Sequence, residues 1–184
     1  MFELSERRTF LVTAALFEGG LALFAVALGW FVGIDPIAPI SPEPAAVAWG
    51  GAATFPLFLL FMATFRRPIG PLRRIKELLL GVLGPPLSSC RWHELVALSL
   101  LVGFSEELLF RGVLQPWLSR WGLAFGLVAS NILFGLAHFV TALYALIAAV
   151  LGIVLGCLLH WPAEGTLLAP IVTHALYYYL AFLM

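Results

Sequence analysis

Two carboxylates and a guanidinium, Glu106, Glu107 and Arg111, lie within six residues of one another in one of the most apolar parts of the chain, Gly103 to Gly112. Bilayer insertion charges roughly 2.5 to 3.5 kcal/mol for each such side chain at a helix centre, so a merely structural span would avoid them. On a helix, Glu107 and Arg111 are four apart and share a face, with the acid N-terminal to the base, the better order for an ion pair. Glu106 points about 100° away and is free for other work. Taken alone, the three side chains fit a buried ion-pair cluster as well as they fit a reactive site.

Polar residues in two other apolar segments favour the site. Asn131, Phe134 and His138 fall on one helical stripe, and His174 lies inside the last apolar run, after Ala169-Pro170. Two histidines and a carboxylate pair on three segments make a constellation suited to moving protons. His93 and His160 sit beside Trp92 and Trp161 near segment ends and read as interfacial residues. His93-Glu94 opens like a zinc motif but lacks the second histidine, and Ser105 lacks the closing glycine of a nucleophile elbow. Cys90 and Cys157 fit no metal spacing. No metal and no cofactor is expected.

These residues need elements to hold them, and composition says which kind. Of 184 residues, 62% are hydrophobic and 11% charged, against roughly 25% charged in soluble domains. The expected fold is all-α: a polytopic transmembrane helical bundle of about six spans plus an interfacial amphipathic helix, one integral membrane domain over 1–184 with its catalytic core at about 92–184. A span needs about 20 mainly apolar residues. Phe10 to Phe31 supplies the first, read as a retained span rather than a removed signal peptide. Its Glu18 leaves two readings open, a site residue or a snorkelling or neutral acid.

A proline-rich connector, Gly33 to Pro44, leads to Ala45–Phe65, with a kink expected at Pro56. Within the basic stretch from Arg66 to Arg91, the segment from Arg73 to Leu83 reads as an amphipathic helix at the interface, followed by a break at Gly84-Pro85-Pro86. Spans follow at Glu94 to Gly112, Gly126 to Val140, Leu143 to Leu159 and Thr166 to the end, with Val113 to Leu123 expected at the membrane surface. Between the last two lies Trp161-Pro162-Ala163-Glu164-Gly165. Gly152 and Gly156 have the spacing that lets helices approach closely.

Eight of the ten basic residues fall in the N-terminus and the Arg66 to Arg91 segment, so both termini are expected to be cytoplasmic, in a bacterial inner membrane. The Glu106 to Arg111 end of its span would then lie toward the outer face. The net charge of zero gives nucleic acid no general attraction.

Three motifs, E-E-x-x-x-R at Glu106, Glu107 and Arg111, F-x-x-x-H at Phe134 and His138, and His174 in the last span, resemble the CPBP (CAAX protease and bacteriocin-processing, Abi) family of intramembrane glutamic endopeptidases. The resemblance covers roughly Leu95 to Tyr178. It implies peptide-bond hydrolysis without a metal or a covalent intermediate. Glu106 would be general base on a water held with His138, His174 would stabilise the oxyanion, and Glu107 tied to Arg111 would order the site. Where the family often has Asn one turn after the last histidine, this chain has Tyr178, with Asn131 as an alternative donor.

The implied partners are the bilayer and a protein or peptide substrate, a membrane-anchored or exported tail. A non-catalytic membrane factor that binds a partner or confers immunity, and a proton or solute pathway, are the competing readings of the same polar cluster.

Overall fold

A computed structural model describes residues 4–161 and 165–184; residues 1–3 and the 162–164 part of the last connector lie outside them. The described residues contain helices and no strand: α1 (Leu4–Val32), α2 (Pro44–Arg66), α3 (Pro71–Ser89), α4 (Trp92–Leu109), α5 (Gln115–Leu118), α6 (Leu123–Ala137), α7 (Ala142–His160) and α8 (Leu168–Phe182). Charged and polar side chains are buried inside the bundle beside its apolar core, and large apolar side chains cover the outside. Arg111 is the largest fully buried side chain, while Leu16, Leu23 and Phe31 of α1 are each more than two-thirds exposed. That arrangement suits lipid as the solvent, and α1, α2 and α7 are each long and apolar enough to cross a membrane.

At the centre α4 packs on α8. Helix α1 lies against α4, α2 against α8, and α6 pairs with α7. The α4–α8 contact is close because Gly103 has no side chain: a Cβ there would lie 2.8 Å from the Ala175 nitrogen. Proline-rich residues 33–43 cap one end of the bundle, where Pro39 accepts a hydrogen bond from Leu167 N–H at 2.8 Å. Helix α3 closes the other end, with Ile75 buried, Leu78, Leu80 and Val82 exposed, and Lys76 donating to the Phe65 carbonyl at 2.9 Å.

Pro56, where a kink is expected, lies inside α2. Three sequence expectations change. Helix α3 runs unbroken through Pro85 and Pro86. Those two prolines occupy the last turn, where the carbonyls of Pro85 and Pro86 are taken by the Ser88 and Ser89 hydroxyls instead. The most consequential change concerns α4. Its helical path does not stop near Gly112 but continues through a π-turn (Phe110–Leu114), α5 and a 3₁₀ turn (Ser119–Trp121). The stretch expected at the surface is therefore interior at its start, with Val113 and Gln115 fully buried.

The chain reverses at Gly122, whose φ of 127° suits glycine, and α6 starts at Leu123 rather than Gly126. From Trp92 to Trp121 the rod is about 45 Å long at ~1.5 Å per residue, and Glu106 sits near its middle. Helices α6 and α7 are joined by the short turn at 138–141, where the Thr141 hydroxyl accepts from Tyr144 N–H at 3.1 Å. That turn lies at the depth of Glu106. Toward α3, only α1, α2, α4 and α8 continue past it.

Candidate active site

Glu106 on α4 and His138 at the end of α6 lie on antiparallel helices. Each is 16 residues from the Gly122 reversal, so their depths match. His174 comes to the same level from the middle of α8. Glu106 Oε2 lies 3.5 Å from His138 Nε2 and 3.7 Å from His174 Nε2. Among the described residues this oxygen, though buried, has no hydrogen-bond partner. Protein interiors almost always satisfy such an atom, so its two imidazole neighbours are the groups to account for it.

The tautomers follow from the partners of the other ring nitrogens. His138 Nδ1 is 2.9 Å from the Phe134 carbonyl, which can only accept, so Nδ1 carries the proton and Nε2 faces Glu106. His174 Nδ1 donates to Glu107 Oε1 at 2.6 Å, and its Nε2 likewise faces Glu106. The Tyr178 hydroxyl is 3.4 Å from His138 Nε2, and its ring stacks on His174 with centroids 4.9 Å apart.

Behind the histidines is a second layer. Arg111 Nη1 donates to Glu107 Oε1 at 2.9 Å, and Nη2 donates at 2.8 Å both to Asn131 Oδ1 and to the Gly152 carbonyl. The guanidinium also lies over the Phe134 ring at 4.5 Å, and that ring is tilted against His138 at 4.4 Å. Glu107, Arg111, Phe134 and Asn131 thus form one buried scaffold joining α4, α6 and α7, and it holds both imidazoles. Asn131 Nδ2 donates to the Leu127 carbonyl at 2.7 Å. Asn131 lies in this layer behind the histidines, whereas the Tyr178 hydroxyl lies beside His138.

The Gly152/Gly156 spacing does more than allow close packing. A Cβ on Gly152 would lie within 3 Å of both Asn131 Oδ1 and Arg111 Nη2. On the next turn, the Gly156 carbonyl accepts from Gln115 Nε2 at 3.1 Å. We expect Gly152→Ala to push α7 off this network and to cost roughly 1–3 kcal/mol, measured as lowered resistance to unfolding in detergent, with a parallel fall in activity.

Two contributors were not assigned by spacing. Glu18, one of two open readings in the sequence, is buried rather than snorkelling and is hydrogen-bonded to Ser105, the neighbour of Glu106. Its only sequence signal was a carboxylate inside an apolar run. Tyr144, at the start of α7, is close enough to Glu106 for their charges to interact, and nothing in the sequence marked it. His93 packs against Trp92, and His160 contacts Gln115 at 3.1 Å, both away from Glu106.

The family model described as type II CAAX prenyl endopeptidase Rce1-like matches residues 88–180, just over half of the chain. That interval holds α4 to α7, α8 as far as Leu180, and every residue of the scaffold. Neither a curated protein nor a solved structure matches the chain.

Proposed function

The chain belongs to the type II CAAX prenyl endopeptidase Rce1-like family, and from that membership and the site's geometry we propose an intramembrane glutamic endopeptidase with Glu106 as general base. The observation that carries this reading is Glu106 Oε2, unbonded within the described protein and facing two imidazole Nε2 atoms at 3.5 and 3.7 Å. A water between these groups donates one proton to Glu106 and the other to His138 Nε2. Its oxygen attacks the scissile carbonyl carbon, the C=O electron pair moves onto oxygen, and Glu106 takes the water's proton. His174, protonated on both nitrogens between Glu107 and Glu106, donates from Nε2 to the oxyanion, with the Tyr178 hydroxyl beside it. Glu106 then passes its proton to the leaving nitrogen as the C–N bond breaks.

General base catalysis contributes about 10²–10⁴-fold, and an oxyanion donor about 10²–10³-fold. The reading makes no use of a metal. A chelator should leave turnover unchanged.

The substrate in this reading is the peptide tail of a membrane-anchored protein, approaching from the α3 face. Support comes from the helix lengths: the α6–α7 turn ends at the depth of Glu106, with Phe139 and Val140 exposed, whereas the opposite side is filled by Val113, Gln115 and the proline-rich cap. Because α3 carries Arg73, Arg74 and Lys76, that face and both termini are cytoplasmic. This replaces the expectation of an outward-facing site, which rested on a span ending near Gly112. Labelling in intact cells tests the sidedness. A membrane-impermeant maleimide should modify Ile37→Cys, in the exposed connector, and should reach Cys90 only after permeabilisation. The opposite pattern would reverse the orientation.

A further inference from the structure

Glu18 is a buried acid that the mechanism above does not use, on a helix outside the family-matched interval. Its Oε2 lies 2.5 Å from Ser105 Oγ, and Ser105 is completely buried. The same hydroxyl oxygen lies 3.2 Å from the Val102 carbonyl, one turn back on α4. A serine hydroxyl has one proton, and a carbonyl can only accept. Both contacts are made together when Ser105 donates to Val102 and Glu18 donates to Ser105, which requires Glu18 to be the neutral acid.

The charges around it agree. Glu106, Glu107 and Arg111 face the site from α4, His174 and Tyr178 from α8, His138 from α6 and Tyr144 from α7, with Glu18 itself within electrostatic reach of Glu106 and His174. In the mechanism Glu106 and Glu107 are balanced by Arg111 and a protonated His174. A further anion from α1 would leave that dry cluster with an uncompensated charge, which a low-dielectric interior penalises heavily.

We propose that Glu18 is a positioning residue, a protonated carboxyl that donates to Ser105 and so fixes the rotation of α4 at the residue next to the catalytic base. This rests on the reading of Glu106 as that base. Helix α1 is thereby part of the active site, although no substrate contact is assigned to it.

The test compares Glu18→Gln, Glu18→Ala, Ser105→Ala and the double alanine variant in the full-length protein. A glutamine amide can make the same donation as the neutral acid, so Glu18→Gln should keep kcat within about twofold at every pH. Glu18→Ala should lower kcat by about tenfold or more with KM little changed, since small displacements of a reacting group are that costly. The Ser105→Ala variant should match it, and the double variant should be no worse than either.

Infrared difference spectra should show a protonated-carboxyl band that Glu18→Gln removes, which decides the matter even if the alanine variants fail to fold. The proposal is overturned if Glu18→Gln is as impaired as Glu18→Ala, if Glu18→Ala is fully active, or if no such band is lost. Activity in a Glu106→Ala variant would instead overturn the base assignment, whatever the Glu18 variants do.

Discussion

Replacing Arg111 by alanine is expected to lower stability by about 3–5 kcal/mol, more than any other single change considered for this chain. The guanidinium is 1% exposed and makes three hydrogen bonds, to Glu107, Asn131 and the Gly152 carbonyl, from three helices. Without it Glu107 keeps one partner, His174, for a carboxylate with no access to water, and the Phe134 ring loses its cation. Lysine is not a conservative substitute, because one ammonium cannot reproduce a planar fork aimed at two helices. Arg120 provides the contrast. It is exposed and, among the described residues, donates only to the Val32 carbonyl, so Arg120→Ala should change stability by no more than about 0.5 kcal/mol. Unfolding of both variants in the same detergent checks the difference directly.

The largest effect on activity is expected from Glu106→Ala. Loss of the base removes proton transfer and also leaves two imidazoles facing nothing, so kcat should fall by at least about 10³-fold. Stability should change little, because Glu106 Oε2 makes no hydrogen bond within the described protein. Few substitutions uncouple activity from stability in this direction. Residues that act as a unit are not additive, so adding His138→Ala or His174→Ala to Glu106→Ala should cost little more. If each instead multiplied the loss, the three would be working independently.

The helical membrane bundle and the family were legible from composition and from three short motifs, because lipid imposes long apolar runs and makes every charge within them conspicuous. The depth of the site was less legible. Aromatic and basic residues after Gly112, Trp117, Arg120 and Trp121, carry the signature of a membrane surface, and that signature correctly marks the end of the rod. It says nothing of Val113 and Gln115, which precede it and are buried. The π-turn that carries α4 onward has no sequence code of its own. The Gly122 reversal was visible as a glycine, but its meaning came from counting equal helical paths to Glu106 and His138.

Partners contributed by backbone were also hidden. The Phe134 and Gly152 carbonyls fix His138 and Arg111, and no residue type announces a carbonyl. Asn131 was legible on its stripe, but not that its Oδ1 accepts from Arg111. Glu18 and Ser105 are 87 residues apart, and only the packing of α1 on α4 brings them together.

The central claim is that the protein hydrolyses a peptide bond with Glu106 as base. It is tested most directly by reconstituting wild type and Glu106→Gln in liposomes with a membrane-anchored peptide library and following cleavage by mass spectrometry, with equal folded protein verified by thermal unfolding. The account predicts defined cleavage products with wild type, insensitive to chelator, and none above background with Glu106→Gln. Undiminished cleavage by the glutamine variant would contradict it.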